Sequence, residues 1–183
     1  LEFTDTTIAS NTNFVASLVS TGTTTSYAGD NSSGMYFWGC QVETNPSASY
    51  YVATTSAVAY GPRKHVVYGG DQWPEMNLVL QSQTFDNASW TKANSTIDPD
   101  AVVGLDGSLT GDVMSATGAS TALVRQGVSA ASGITYIYSY RVRYRNNRWV
   151  SLIAFSTPFS TTPTVYFDLV GGVKGTSSGT VAD

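Results

Sequence analysis

The chain has 183 residues, a formal net charge of −4 and a pI near 4.7, with 12% charged and 12% aromatic residues. This length suits one domain of ordinary size, with a core large enough to be stable without disulfides or bound metals. The composition favours strands over helices. The negative net charge argues against nucleic acid as a partner, because a general nucleic-acid binder needs a cationic surface. No apolar run approaches the roughly 20 residues of a membrane span.

The first predicted strands lie in the N-terminal third of the chain. Phe14 to Val19 is one strand, and the turn cluster Gly29-Asp30-Asn31 precedes a second strand, Met35 to Glu43. Gly39, between large aromatic residues, indicates that a neighbouring group packs close to the backbone there. The lone cysteine, Cys40, is predicted to be a small buried hydrophobe. Strict alternation would place four side chains of the second strand on one face: Tyr36, Trp38, Cys40 and Val42.

Residues 57–76 differ in character, with two Pro, Gly-rich breaks and no long alternation. They are predicted to be a connector that carries one short strand, His65 to Tyr68. Beyond it, Phe85 to Trp90 is a turn whose two aromatic side chains plug a sandwich edge, and Leu105 to Ser108 is a strong turn signal. The remaining predicted strands have the spacing of an antiparallel sandwich: Leu78 to Leu80, Ala122 to Val128, Thr135 to Tyr144, Arg148 to Phe155 and Thr164 to Leu169.

The strand from 135 to 145 carries the strongest chemical signal. Its alternation puts the tyrosines and Val142 on one face and Arg141, Arg143 and Arg145 on the other; with Arg148, four of the nine basic residues lie within eight positions. Guanidinium groups bind carboxylates bidentately, so the row is a candidate site for an anionic sugar. Two other interpretations stay open: an exposed strand face whose charges prevent pairing with another sheet, which we favour, and a salt-bridge row between subunits.

The four tryptophans are candidate platforms for sugar rings, although a structural role is favoured for each of them. Two tryptophans join the arginines as candidate ligand-binding residues. One is Trp73, beside Pro74 in the connector; the other is Trp149, for which alternation does not determine the face of the strand.

Two segments carry a resemblance to a known family. Residues 76–92 read MNLVLQSQTFDNASWTK and residues 34–43 read GMYFWGCQVE. They resemble the opening N-L-L-x-x-S-x-x-F-x-x-x-x-W and the closing strand G-x-Y-x-W-G-A-Q-x-E of the β-sandwich module of phage tail and fibre proteins, in reversed order. Cys40 stands where the family usually has Ala. The resemblance implies architectural roles for the matched residues: Asn77, Leu78, Ser82, Phe85 and Trp90 in the opening, and Gly34, Tyr36, Trp38, Gly39, Gln41 and Glu43 in the closing strand. It also implies that Trp38 and Trp90 are buried and share one core.

The resemblance implies an all-β fold, an antiparallel jelly-roll β-sandwich that is permuted within the chain or strand-exchanged between subunits. Residues 1–56 would supply the closing strands, 57–76 the connector, and 77–183 the opening strands and main body of one domain. The block lengths favour one completed module, because two half-sandwiches would leave long unpaired edges.

The function that the resemblance implies is that of a non-enzymatic virion protein: a tail-fibre, appendage or head-decoration subunit. Such a subunit assembles with other virion subunits or copies of itself, as a homo-oligomer, and contacts host surface glycans outside the cell. The alternative is a carbohydrate-binding module of a secreted polysaccharide-degrading enzyme.

Catalytic and metal signals are weak. No carboxylate pair is placed for glycoside hydrolysis, and no Ser nucleophile motif accompanies the single histidine, His65, so the chain is predicted not to be an enzyme. No cofactor is predicted. A loop-rich stretch contains four aspartates that could hold a structural Ca²⁺ of the kind found in carbohydrate-binding jelly rolls, but ordinary turn aspartates are the preferred interpretation: Asp98, Asp100, Asp106 and Asp112.

Overall fold

A computed structural model describes residues 2–5, 12–23, 29–30, 32–44, 48–60, 76–104, 106–118, 120–129, 134, 136–155 and 162–178. These residues form thirteen β-strands and no helix. The strands are β1 Glu2–Asp5, β2 Thr12–Val19, β3 Gly34–Glu43, β4 Ala59–Tyr60, β5 Met76–Asn77, β6 Thr91–Ala93, β7 Ser95–Val103, β8 Leu109–Ala116, β9 Ala122–Val128, β10 Tyr136–Tyr144, β11 Trp149–Phe155, β12 Thr164–Asp168 and β13 Val173–Ser178.

Eleven of these strands form two antiparallel sheets. Sheet A has the order β1-β10-β3-β8-β7, and sheet B has the order β13-β12-β11-β2-β9-β6; β4 and β5 pair separately. Strands from the first 60 residues lie inside both sheets, since β2 lies between β11 and β9 and β3 lies between β10 and β8. The chain is therefore an antiparallel β-sandwich in which the N-terminal block contacts the C-terminal block directly. The jelly-roll topology stays a prediction.

One apolar core lies between the two sheets. Alternate residues of β2 and β11 enter it from sheet B, and alternate residues of β10 enter it from sheet A. The rings of Phe14 and Tyr138, 4.5 Å apart between centroids, join the two layers. Phe85 and Trp90, with centroids 4.9 Å apart, belong to the same buried cluster. Each such side chain contributes about 1.5–3 kcal/mol on burial, which explains why the predicted aromatic turn at 85–90 plugs the sandwich.

A β-bulge at Gly39 determines which side chains of β3 enter the core. Tyr140 on β10 pairs with Cys40, whereas the next residue of β10, Arg141, pairs with Trp38, so Gly39 is the extra residue of β3. Gly39 has φ +69°, in the left-handed region that favours glycine, and a Cβ there would lie 2.9 Å from the Tyr51 ring. The prediction that a neighbour packs against Gly39 is confirmed.

The bulge changes the parity of β3. Met35 and Phe37 face the core before it and Cys40 after it, so the outward side chains of the first half of β3 are those of Tyr36 and Trp38. The prediction that Tyr36 and Trp38 share a face with Cys40 and Val42 is wrong. Trp38 therefore lies outside the core that holds Trp90, whereas the predicted burial of Trp90 and Cys40 is confirmed.

The other predicted strands agree unevenly with the structure. Those beginning at positions 14, 35, 122, 135, 148 and 164 are confirmed as β2, β3, β9, β10, β11 and β12. Of the predicted 105–108 turn, the described residues 106–108 lie between β7 and β8. Two predictions are wrong: 78–80 is not a strand, and the stretch with the four aspartates is mostly β7 and β8, not loop. The predicted strand from His65 to Tyr68 lies outside the described residues. The described part of the chain contains no helix long and apolar enough to cross a membrane.

Candidate functional site

The Asn77 side chain joins the opening segment to the closing strand. Its Oδ1 accepts hydrogen bonds from the backbone N–H groups of Val42 (3.2 Å) and Val79 (3.1 Å), and its Nδ2 donates to the carbonyl oxygens of Cys40 (2.8 Å) and Val52 (2.8 Å). Asn77 is fully buried, and the network uses all four hydrogen-bonding positions of its amide. The two segments that resemble the phage module are therefore in direct contact within one sandwich.

Ser82 forms a second junction beside Asn77. Its hydroxyl lies 2.6 Å from the Tyr51 hydroxyl and accepts a hydrogen bond from the Thr54 N–H at 2.8 Å. Its carbonyl accepts a hydrogen bond from the Cys40 N–H at 2.8 Å. These contacts hold the segment 48–55 against sheet A.

The segment 48–55 covers one half of the outer face of sheet A. Gln41, just after the bulge, accepts a hydrogen bond from the Val52 N–H at 2.7 Å and donates to the Glu43 carboxylate at 2.9 Å. Glu43 also accepts from the Ser49 N–H at 2.9 Å. Both side chains are buried beneath this segment, so the matched Gln and Glu of the closing strand have structural roles.

The other half of the outer face is open and forms a groove of about 130 Å³. The cavity crosses β10, β3, β8 and β7. A Cβ at Gly111 would lie 2.6 Å from the Val102 side chain, so the glycine makes room for this residue of the groove wall. Its lining is apolar on the β7 side and cationic on the β10 side. The lining residues are Tyr36, Phe37, Trp38, Val102, Val103, Gly104, Gly111, Arg141, Val142 and Arg143.

Trp38 is held rigidly at the border between the covered and open halves. Its indole Nε1 donates a hydrogen bond to the Thr110 hydroxyl at 3.0 Å, and its ring lies 4.8 Å from the Tyr51 ring between centroids. A Cβ at Gly104 would lie 2.3 Å from the indole nitrogen, so only glycine fits against this edge of the ring. The indole is partly exposed in a fixed orientation, as a stacking platform requires.

The strand register places one arginine directly across from each aromatic side chain. Arg141 pairs with Trp38, and Arg143 pairs with Tyr36, with the Arg143 guanidinium 4.8 Å from the centre of the Tyr36 ring. Neither guanidinium forms an ion pair with a carboxylate of the described residues. The two arginines therefore keep their hydrogen-bonding forks available at the groove.

The other arginines of the predicted row have different partners. Arg145 donates hydrogen bonds to the Ser32 carbonyl at 3.3 Å and the Ser115 hydroxyl at 3.4 Å. Arg148 forms a bidentate ion pair with Asp168, with contacts of 3.0 and 2.6 Å. Hydrogen bonds from Arg148 hold the pKa of Asp168 well below its usual range. These two arginines support loops and are not part of the groove.

Of the two candidate tryptophans, Trp149 lies apart from the groove. Trp149 packs against Gly22 and Gly175, where an added Cβ would lie 2.7 and 2.9 Å from its ring. Its position on β11 places it in sheet B. Trp73 lies outside the described residues. Among the described candidates, Arg141 and Arg143 together line the groove, whereas Arg148 and Trp149 meet elsewhere, with the guanidinium carbon 5.8 Å from the centre of the indole ring.

Two of the four aspartates predicted from the loop-rich stretch accept hydrogen bonds from backbone groups. Asp106 accepts from the Ser108 N–H at 3.0 Å, while Asp112 accepts from the N–H groups of Phe85 (2.9 Å) and Asp100 (3.0 Å). Burial raises the pKa of Asp112 to about 6, against the lowering effect of those two hydrogen bonds. Within the described ranges no group of three or more His, Cys, Asp or Glu residues could hold a metal ion.

Sequence reasoning missed three of the groove's features: the outward orientation of Trp38, the aromatic partner Tyr36, and the wall formed by Val102 to Gly104. The wall was missed because β7 and β8 are rich in Asp, Gly, Ser and Thr, which hide their alternation. The signal for Trp38 was the glycine that follows it, since Gly in a strand often marks a bulge.

Comparison of the chain with protein-family models, curated proteins and solved structures finds no match. Fold and site together define an antiparallel β-sandwich with an aromatic and cationic groove on one outer face.

Proposed function

We propose that this chain is a non-enzymatic structural and adhesion subunit of a virion appendage or head decoration, and that its outer-face groove contacts glycans. The resemblance to the phage tail and fibre module supports the virion assignment. The observation that carries the glycan contact is the groove itself, in which the fixed Trp38 indole lies directly across from Arg141. Sugar rings offer an apolar face for an indole and hydroxyl groups for a guanidinium.

The groove supports binding better than hydrolysis. Its described lining contains no carboxylate and no histidine, whereas glycosidases flank the scissile bond with two carboxylates at a controlled separation. Asp106, in the turn between β7 and β8, accepts hydrogen bonds from the Ser108 N–H and from the Thr110 hydroxyl at 3.4 Å. Incubation of the chain with polysaccharides should therefore release no reducing ends, and measurable hydrolysis by this chain alone would contradict the proposal.

Self-association is the second part of the proposal. Val103 and Leu109 are register partners on the β7–β8 hairpin and are 60% and 59% exposed. Val103 lines the groove, whereas Leu109 does not, so Leu109 is the exposed apolar residue through which this sheet edge would contact another subunit. A homo-oligomer formed through this edge would place several grooves on one particle, and repeated weak binding sites gain strength through avidity.

Light scattering combined with retention on immobilised polysaccharides tests the proposal. We expect an oligomer that is retained by at least one glycan. The variant Leu109→Ser should shift the chain toward monomer, while Val170→Ser, which changes an equally exposed apolar residue in the turn after β12, should not. A monomer with strong polysaccharide retention would favour the alternative, a carbohydrate-binding module of a secreted enzyme. A monomer without any retention would contradict both.

A further inference from the structure

We propose that the groove selects a carboxylated sugar, with Arg141 as the residue that binds the carboxylate and Trp38 as the platform for the sugar ring. This inference rests on the proposed glycan-binding function and names the ligand class for that site. Two observations carry it: the register pairing of Arg141 with Trp38, and the absence of an ion-pair partner for the Arg141 guanidinium among the described residues.

The charge of the groove contrasts with that of the chain. The chain carries a net charge of −4, yet the described lining of the groove contains two arginines and no acidic residue. Surface arginines elsewhere in the row bond to carbonyl, hydroxyl or carboxylate oxygens, as Arg145 and Arg148 do. At the groove, that bonding capacity faces the cavity. A local cationic site on an acidic protein is complementary to an anionic ligand and not to the chain's own surface.

The shape of the groove favours a carboxylate on a sugar ring over a free anion. One side of the cavity is apolar, formed by Val102 and Val103, and the other side carries the guanidinium groups. An acidic sugar has the same division, with C–H groups on its ring faces and a planar carboxylate at one edge. A guanidinium fork matches the two oxygens of a carboxylate. The Arg143 guanidinium, stacked over Tyr36, supplies a second positive charge beside it.

The size of the groove sets the extent of contact. A cavity of about 130 Å³ is smaller than the roughly 300–1,000 Å³ of pockets that enclose drug-sized ligands. It therefore holds one ring of a longer chain and leaves that ring's neighbours in solvent. Contact with one ring gives weak binding per subunit, so the ionic contribution of Arg141 is a large share of the affinity.

Isothermal titration of the full chain with matched acidic and neutral saccharides tests the inference. The probes are trigalacturonate with its methyl ester, and sialyllactose with lactose. We expect at least one acidic saccharide to bind tenfold or more tightly than its neutral counterpart, since a hydrogen bond to a charged group contributes about 1.5–3 kcal/mol and 1.4 kcal/mol is a tenfold change. The difference should shrink as salt is raised, because the Debye length falls from about 10 Å at 0.1 M to about 3 Å at 1 M.

Variants separate the roles of the two residues. Arg141→Ala should abolish the preference for acid over neutral sugar, and Arg141→Lys should restore only part of it, since an ammonium lacks the planar fork. Trp38→Phe should weaken acidic and neutral ligands by similar factors. The control is Arg125→Gln, which removes the same charge from β9 in sheet B and should leave all affinities unchanged. Matching thermal unfolding profiles should show that each variant is folded.

The outcomes distinguish failure of the carboxylate selectivity from failure of glycan binding itself. Equal affinity for acidic and neutral sugars would overturn the carboxylate assignment while leaving the glycan-binding function intact. A sulfated sugar that binds as tightly as the carboxylated one would also overturn it, because the selectivity would then be for charge alone. No affinity for any saccharide would overturn the proposed glycan binding, and the inference with it. Loss of the preference in Arg125→Gln would show that net charge, and not Arg141, is responsible.

Discussion

Replacement of Asn77 by Ala tests whether one buried amide holds the N-terminal block and the C-terminal block together. Asn77 is fully buried and forms four hydrogen bonds to backbone groups of β3, of the 48–55 segment and of its own loop. A typical hydrogen bond contributes a net 0.5–1.5 kcal/mol, so deletion of all four should lower the free energy of unfolding by about 4 kcal/mol. For a chain of this size that loss corresponds to a decrease of about 8–16 °C in melting temperature.

The assay is urea unfolding followed by tryptophan fluorescence, together with thermal melting. The matched control is Asn146→Ala, because Asn146 also bridges two backbone groups, the Gly34 N–H at 2.8 Å and the Ser32 carbonyl at 3.1 Å, but is exposed. Water can replace its bonds, so the control should lose about 1 kcal/mol. A loss for Asn77→Ala within 1 kcal/mol of that of the control would refute the reasoning, since burial would then add nothing.

Three further changes test other parts of the structure. Burial raises the pKa of Asp112 from its ordinary 3.8 to about 6, so the folded state binds the carboxyl proton more tightly than the unfolded state does. The free energy of unfolding should therefore fall as pH rises from about 4 to about 6. Urea titrations of Asp112→Asn should lack that decline, and parallel pH profiles for the two proteins would contradict the prediction. Gly107→Ala should lower the free energy of unfolding by about 1 kcal/mol, because alanine is strained at a positive φ. Gly39→Ala should lower it at least twice as much, because the Tyr51 ring must also move. Equal losses would show that the contact between Gly39 and the Tyr51 ring is loose. Cys40 is buried and burial raises the pKa of its thiol, so a chromogenic disulfide reagent should react only as fast as the chain unfolds; rapid labelling of the native protein would contradict its place in the core.

The strands that could be predicted are those with a locally encoded period. In β10, alternation predicts that the tyrosines share one face and the arginines the other, and in the structure Tyr136, Tyr138 and Tyr140 all lie in the core. In β7 and β8, small polar residues occupy both faces and no alternation is visible. Their strand conformation depends on pairing with each other and with β3, which is a contact between distant parts of the chain.

The candidate site was predictable only in part for the same reason. Alternation correctly put Arg141 and Arg143 on the outward face of β10, but it grouped them with Arg145 and could not show which of the three faces a groove. That division depends on which half of sheet A the 48–55 segment covers, and on the Ser32 and Ser115 groups that bond Arg145. Such contacts join residues more than ten positions apart, so strand period carries no information about them.

The sequence alone determined that the chain is a β-sandwich, that Cys40 and Trp90 are buried, and that a row of arginines projects from one face of a strand. The sandwich and the arginine row follow from composition and from a two-residue period that each strand carries by itself. Burial of Cys40 follows from the apolar run around it, and that of Trp90 from its place in the opening motif. Tertiary structure decided that Trp38 faces outward, because the bulge at Gly39 is expressed only when β3 pairs with β10 and the Tyr51 ring packs on the glycine. It also decided that Arg141 lies across from Trp38, because register is a property of two strands and of neither one separately.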